Sequence, residues 1–412
     1  MKIRKLHIKN YKVFNDLELD FTDANGNTLD KIVLAGVNGC GKTTILEIIR
    51  KMYDGSLFDY FKKDDKGFIE IEVELTLEEK DRGTAILPNY IRDLDPNMFG
   101  KDLLFFNKKL FSEGNYIKMR FDSTSNAVNE AELIFVLSLG LFSKGKSTLL
   151  YLPIKDIKNK NSKKYPYEII HLSSLENEMK ELALKGIRDE IFKNRSVPPE
   201  ESIEKEIKQI TKALNGLNLT TKLIDLESEE LIFQSANGQK IKFEDLSNGE
   251  QNLYFRAIYL SKLNPKNSII MVDEPEDSLH PTWQQKVVQL YQNIGENNQV
   301  IVATHSPHII GASKAEEVFL LEINENQVEV MHPRYTKGHS IKHILNVMGA
   351  NPNDIEVINK VDAYMALVRK GEHETKAGLQ LKAEIDTLNL DPNSEEMRRL
   401  DLSIKRFKAV GV

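Results

Sequence analysis

The chain opens with alternating apolar and polar positions. Ile3, Leu6 and Ile8 begin one strand, and Leu17-Glu18-Leu19-Asp20-Phe21 repeats with period two. Ile32-Val33-Leu34-Ala35 is a continuous apolar run, as a strand buried on both faces reads. A loop and a helix carrying Ile45, Leu46, Ile48 and Ile49 follow, and residues 68–75 alternate again, as an antiparallel strand does. From 78 to 165 the pattern is irregular, with strands expected at 116–121 and 132–137. Residues 173–194 and 200–214 read as two helices split by Pro198-Pro199; Ile203, Ile207, Ile210 and Leu214 form one apolar stripe. This helical insertion, about 173–215, either packs on the domain or projects from it as a short hairpin. Strands near 222–226 and 230–235 precede a helix from Gln251 to about Leu263. A buried strand at 268–272, a helix from Pro281 to about Ile294 and a buried strand at 300–303 then alternate, which implies a parallel sheet. After about 335 only helices are expected, at 340–348, 353–370, 374–389 and 394–409. In the last, Met397, Leu400, Ile404 and Phe407 share one face.

Composition narrows the class. With 412 residues, 41% hydrophobic and 29% charged, the chain reads as a folded soluble protein of two or three domains. A net charge of −6 argues against a generic DNA coat, so any nucleic-acid surface is local. The stretch from Lys155 to Lys164 holds five lysines and one aspartate, and reads as a solvated loop or a phosphate-backbone contact. No apolar signal region follows Met1, and the apolar run near Leu133 to Phe142 is too short to span a bilayer. Cys40 is the only cysteine, so no intrachain disulfide forms. A cytoplasmic protein with no membrane segment is expected.

Four places carry chemistry. Gly36-Val37-Asn38-Gly39-Cys40-Gly41-Lys42-Thr43 matches G-x-x-x-x-G-K-[ST] between an apolar strand and an apolar helix. Its glycines let backbone N–H groups wrap phosphates, Lys42 reaches the β/γ-phosphates, and the Thr43 hydroxyl suits Mg²⁺. Asp273-Glu274 ends a buried strand, where an aspartate orders a magnesium water shell and a glutamate polarises a water. His305 ends the neighbouring strand, within reach of a γ-phosphate. Leu246-Ser247-Asn248-Gly249-Glu250-Gln251 opens a helix, and its N–H groups offer a second anion seat.

Together these residues resemble the ABC-type ATPase heads of the SMC/RecF/OLD branch. Residues 36–43 resemble Walker A, 246–251 the ABC signature, and 269–274 Walker B with Glu274 in the catalytic place. Glu276-Asp277-Ser278-Leu279-His280-Pro281 resembles the D-loop region, and His305 the switch histidine. The start, Ile8-Lys9-Asn10-Tyr11-Lys12-Val13-Phe14, is similar to the opening strand of the branch. The fold implied is α/β: an ABC ATPase head with a parallel core sheet around the P-loop, an antiparallel β part, a short helical insertion and a C-terminal helical tail. Residues 1–335 would form the ATPase domain and 336–412 the tail. The resemblance implies ATP and Mg²⁺ as cofactors. Nucleotide contacts fall on Gly36, Asn38, Gly39, Gly41, Lys42, Thr43, Thr44, Ser247, Gly249, Glu250 and Gln251; metal contacts on Thr43 and Asp273; catalysis on Glu274 and His305. It also implies a head-to-head homodimer in which Ser247 and Gly249 complete the site of a second copy.

The chain departs from the family in one respect. No glutamine occurs between Thr43 and Lys208, so a glutamine-loop role is unassigned and turnover is expected to be slow. Tyr151-Leu152-Pro153 resembles a motif at the matching strand end of OLD-like relatives, and residues 154–158 are candidates for that role. No nuclease is expected, because the sole D-x-D, Asp93-Leu94-Asp95, precedes Pro96 outside any suitable strand order. Compact size and a helical tail resemble bacterial antiphage-defence ATPases of the Septu type, also found with retrons, which work with an HNH nuclease subunit. DNA would then be reached through that partner or through Lys155 to Lys164. Two alternatives stay open: a RecF-like repair or recombination ATPase, and a nucleotide-gated scaffold with little turnover.

Overall fold

The computed structural model describes residues 1–54, 67–77, 116–122, 149–152, 167–169, 199–227, 230–324, 327–336, 355–388 and 395–410. The strand expected at 132–137, the helices expected at 173–194 and 340–348, the stretch from Lys155 to Lys164, and residues 93–95 and 153–158 lie outside them. The chain forms two compact units, Met1–Ile344 and Leu345–Val412.

In the first unit, β1 (Lys2–Tyr11) and β2 (Phe14–Asp20) pair antiparallel, and β3 (Lys31–Gly36) leads to α1 (Lys42–Asp54). Strands β4 (Phe68–Glu74) and β5 (Tyr116–Asp122) extend the antiparallel sheet to the order β2-β1-β4-β5. Next come β6 (Leu149–Leu152), β7 (Tyr167–Ile169) and α2 (Pro199–Ala213). A small separate sheet holds β8 (Lys222–Glu227), β9 (Glu230–Gln234) and β10 (Lys240–Lys242). The remainder alternates: α3 (Asn248–Leu263), β11 (Ile269–Asp273), α4 (Pro281–Gln284), α5 (Val287–Gln292), β12 (Gln299–Thr304), α6 (Pro307–Ala312), β13 (Val318–Asn324) and β14 (Gln327–Met331).

Among the described residues the main sheet has seven strands, in the order β14-β13-β3-β12-β11-β6-β7. Its pairings are parallel except for the edge pair β13–β14. The protein is therefore α/β, with a parallel core and a separate antiparallel sheet. Every residue of β11 and β12 is buried, which explains their unbroken apolar runs. Ile45, Leu46, Ile48 and Ile49 of α1 join one core with Ile3, Leu6, Ile8 and Phe14 of the antiparallel sheet and Ile301 and Phe319 of the parallel one. Each such buried isoleucine contributes about 2 kcal/mol, so α1 is held rigidly behind the loop that precedes it. Gln299 straps the sheets together: its Oε1 accepts from Ile3 N at 2.7 Å, and its Nε2 donates to the carbonyls of Ile3 and Leu29 at 2.8 and 2.9 Å. Cross-strand pairs such as Lys5–Asp20 and Lys118–Glu70 partly neutralise the polar face of the antiparallel sheet.

Two expectations meet the structure differently. Residues 281–294 form α4 and α5 rather than one helix, with Lys286 leaving helical geometry at φ −120°. The break lets Trp283 lie against Gly249 while Val287, Val288, Leu290 and Tyr291 turn inward. Of the insertion, α2 is described, and it packs on α3 and β8 with Ile210, Ala213 and Leu214 buried.

The second unit contains α7 (Ile355–Lys370), α8 (Lys376–Thr387) and α9 (Glu395–Val410). Val361, Tyr364, Met365, Val368, Ile385 and Leu400 form its core, with Met397, Ile404 and Phe407 packed against it. No described helix is long and apolar enough to cross a membrane.

Candidate nucleotide site

The loop from β3 to α1 is shaped by glycines that nothing larger replaces. Gly36 has φ +149°, and a Cβ there would lie 2.4 Å from the Leu321 carbonyl oxygen. Gly41 has φ +96°, and a Cβ there would lie 2.5 Å from Cζ of the fully buried Phe14. Phe14 of β2 thus props the loop from beneath. Gly39, at φ +87°, has open space around it, and Asn38 beside it is exposed, so this side of the loop faces solvent. Cys40 is buried, and burial pushes its thiol up, away from the reactive thiolate. Lys42 folds back: its ammonium donates to the carbonyls of Gly36 and Val37 at 2.9 and 3.0 Å, and Cys40 Sγ lies at 3.8 Å. Thr44 is half-buried in the first turn of α1.

The fold brings this loop to the acidic strand end. Thr43 Oγ1 donates to Asp273 Oδ2 at 2.9 Å across 230 residues of sequence. Asp273 is buried, and its Oδ1 has no hydrogen-bond partner. Burial chiefly pushes its carboxyl up to about 6; Glu274 and Glu276 add to this, and the Thr43 hydrogen bond and Lys42 oppose it. An orphaned carboxylate oxygen beside a hydroxyl fits a hard cation. Among the described residues no group of three His, Cys, Asp or Glu side chains forms a cage. One carboxylate and one hydroxyl suit Mg²⁺, which takes its remaining ligands from water and phosphate.

A stability prediction follows. Asp273 rises from 3.8 to about 6 on folding, so between those values the folded chain holds a proton that the unfolded chain releases. In metal-free protein its contribution is present below about pH 4 and lost as pH rises through about 6. Asp273→Asn should stabilise metal-free protein by on the order of 1–3 kcal/mol at about pH 8, and by nothing near pH 4. Thermal melting at the two pH values with a chelator checks this; equal melting of both proteins at the higher pH would contradict it.

Glu274 follows β11 with φ +47°, a left-handed conformation that is uncommon for a side chain with a Cβ. Its N–H donates to Ala303 O at 2.8 Å, which locks the turn onto β12. His305 Nδ1 lies 3.6 Å from Glu274 Oε1 and 3.5 Å from Glu276 Oε1. His305 and Glu274 are partly exposed, whereas Glu276 is buried. Glu276 Oε1 accepts from Thr304 Oγ1 at 2.5 Å and from His305 N at 2.9 Å, and its Oε2 has no partner. The sequence places Glu276 in the D-loop-like stretch without a role in the site; its signal is a second carboxylate two residues after Glu274, across a proline.

The Ser247 loop lies elsewhere in the unit. Ser247 caps α3, its Oγ accepting from Glu250 N and donating to Glu250 Oε2 at 3.0 Å. Ser247 and Asn248 are exposed, while Gly249 packs so closely that a Cβ would meet Trp283 at 2.8 Å and the Ser278 carbonyl oxygen at 3.3 Å. Among the described residues no hydrogen bond joins this loop to the glycine loop. Glu250 and Gln251, which the resemblance assigns to nucleotide, instead turn into the fold. Glu250 accepts from Thr220 Oγ1, Thr221 N and Thr221 Oγ1. Burial would raise its carboxyl, but the hydrogen bonds from Thr220, Thr221 and Ser247 outweigh it and hold the group low. Gln251 Nε2 donates to the carbonyls of Phe243, Glu244 and Leu246. Both side chains build the loop, and Ser247 and Asn248 stay exposed at the start of α3. Strand β6 lies beside β11, with Leu152 opposite Val272.

The family profile described as "AAA domain, putative AbiEii toxin, Type IV TA system" matches residues 31–311, from β3 into α6. The Septu protein PtuA of Bacillus thuringiensis is 25% identical over 436 aligned positions, which cover 99% of this chain and 99% of that protein. The protein named "Retron Ec83 probable ATPase", from Escherichia coli, is 20% identical, covering 98% of this chain and 87% of its own length. "Retron Vc95 probable ATPase", from Vibrio cholerae serotype O1 biovar El Tor, is 27% identical over 162 positions, 35% of this chain and 32% of that protein. Among solved structures, the SMC head domain from Thermotoga maritima overlaps with a TM-score of 0.43 at 12% identity, over 81% of this chain and 100% of that one. With its P-loop, acidic strand end and histidine strand all inside the matched span, the chain belongs to the family of the "AAA domain, putative AbiEii toxin, Type IV TA system".

Proposed function

We propose that the chain is a Mg²⁺-dependent ATPase that closes as a head-to-head homodimer around nucleotide and regulates a partner nuclease in antiphage defence. The observation that carries the ATPase reading is the buried, unpaired Asp273 Oδ1 against Thr43, at the mouth of a glycine-shaped loop. Lys42 leaves the carbonyls of Gly36 and Val37 to pair with β/γ-phosphate oxygens, and the N–H groups from Asn38 to Thr44 wrap the phosphates. Thr43 and Asp273 would hold Mg²⁺, which neutralises phosphate charge when bound. Glu274 accepts a proton from the attacking water, and His305 donates toward the γ-phosphate. Ser247 and the first N–H groups of α3 complete the site of a second copy, whose γ-phosphate they meet.

The Septu and retron names of the relatives support the defence setting. The nuclease is proposed as an HNH-type subunit, and the helical unit that ends the chain as its dock or as an oligomer contact. Two experiments test the reading. Phosphate release by the purified chain should require Mg²⁺ and be lost in Lys42→Ala; release that ignores both contradicts the ATPase. Co-purification with neighbouring gene products should recover a nuclease whose DNA cleavage changes with ATP. ATP-independent cleavage, or cleavage by this chain alone, contradicts the regulatory role.

A further inference from the structure

Among the described residues Arg256 is the largest of the fully buried side chains. It projects from α3 amid buried Leu253, Tyr254, Ala257, Ile258 and Leu260. Its Nε donates to Asn252 Oδ1 at 2.7 Å, and its Nη1 donates to the Pro275 carbonyl at 2.7 Å and to Tyr291 Oη at 2.9 Å. All three acceptors are neutral. A guanidinium desolvated this completely costs more than a leucine or methionine of similar volume, so packing alone does not account for it. What it does is tie the middle of α3 to the peptide between Glu274 and Glu276.

That peptide cannot move without moving the hydrolytic residues. Glu274 sits at φ +47°, Pro275 has its φ fixed by its ring, and Glu276 is buried with Oε1 bound to Thr304 and to the His305 N–H. Tyr291, wholly buried on α5, feels the charges of both Arg256 and Glu276. A second link runs parallel to the first: Gly249, in the first turn of α3, packs on Trp283 and Ser278, which follow the same turn. The start and the middle of α3 are therefore both joined to the segment from Pro275 to Trp283.

We propose that the turn Glu274-Pro275-Glu276 is a relay within each chain, gripped by Arg256 on the α3 side and gripping His305 through Glu276. Displacement of α3, whose N-terminus completes the site of a second copy, re-aims Glu274 and His305 in the site of its own chain. The two nucleotides of a dimer are thereby coupled, and one closed site readies the other. This rests on the two-copy reading given above. Arg256, Tyr291 and Glu276 are positioning residues; they act through Glu274 and His305.

The test measures fluorescent-ATP binding and steady-state hydrolysis in Arg256→Lys, Tyr291→Phe, Glu276→Ala and Glu276→Gln. Nucleotide affinity should stay within about twofold of wild type, while kcat falls roughly tenfold in the first three and the Hill coefficient drops toward one. Glu276→Gln keeps an acceptor for Thr304 and His305, so it should recover most of the turnover lost in Glu276→Ala. Tyr291→Phe removes one hydrogen bond and keeps the volume, so it carries the test if Arg256→Lys does not fold. A merely structural role would lower the melting temperature and leave kcat and cooperativity as they were; that result overturns the relay. Ser247→Arg separates the two claims. If it retains full turnover, the two-copy reading fails. If it is inactive while Arg256→Lys, Tyr291→Phe and Glu276→Ala are fully active and cooperative, the relay alone fails.

Discussion

Glu274→Gln should lower ATP turnover by on the order of 10²–10⁴-fold while leaving nucleotide bound. The side chain keeps its shape, and its backbone keeps the hydrogen bond to Ala303, so the left-handed turn after β11 survives. What is lost is the carboxylate beside His305, the group proposed to take the proton of the attacking water. Closed dimers should then accumulate with ATP and Mg²⁺, since the step that opens them is blocked. Size-exclusion chromatography with ATP, together with single-turnover phosphate release, checks both halves. If wild type and Glu274→Gln release phosphate equally slowly, the chain is a nucleotide-gated scaffold and Glu274 is no base.

Ser247→Arg should abolish turnover, by at least roughly 100-fold, and leave the affinity of the isolated chain for ATP unchanged. Ser247 is exposed, so the fold accommodates a long side chain, and loss of the cap costs about 1 kcal/mol. A cation at a helix N-terminus opposes the dipole and occupies the space a phosphate would take. Trp283 is the chain's only tryptophan and touches Gly249, so its fluorescence reports this loop directly. ATP with Mg²⁺ should change that fluorescence in wild type and not in Ser247→Arg. A weakened affinity in the isolated chain would instead place Ser247 in its own nucleotide site.

Much of the fold could be read from the sequence wherever a single segment carried its own signal. The runs at 32–35, 269–272 and 300–303 are apolar without a break because the sheet buries both of their faces. The glycine loop is legible for a similar reason: left-handed φ at Gly39 and Gly41 and the close approach at Gly36 leave glycine little competition. Contacts distant in sequence were not legible. Glu250 and Gln251 look like anion-site residues until Thr220, Thr221 and three loop carbonyls are seen to claim them. Strand β7 is three residues long and its pairing with β6 is set by tertiary context, so local pattern does not mark it. The break between α4 and α5 has no glycine or interior proline to announce it, and it accompanies a tertiary contact, Trp283 against Gly249, that local pattern does not carry. Arg256 did leave a trace, a lone charge in a helix otherwise apolar from Leu253 to Leu260, which demands a buried partner.

Two copies sharing each nucleotide is the claim on which the rest turns, and complementation tests it most directly. Lys42→Ala lacks a working glycine loop and Ser247→Arg lacks a working α3 start, so each should be inactive alone. In a mixed dimer one site is built from the intact loop of one chain and the intact α3 start of the other. Random pairing makes half the dimers mixed, each with one good site of two, so equal mixing should restore up to about a quarter of wild-type turnover, and less to the extent that one site readies the other. A mixture as inactive as its two components would contradict the account.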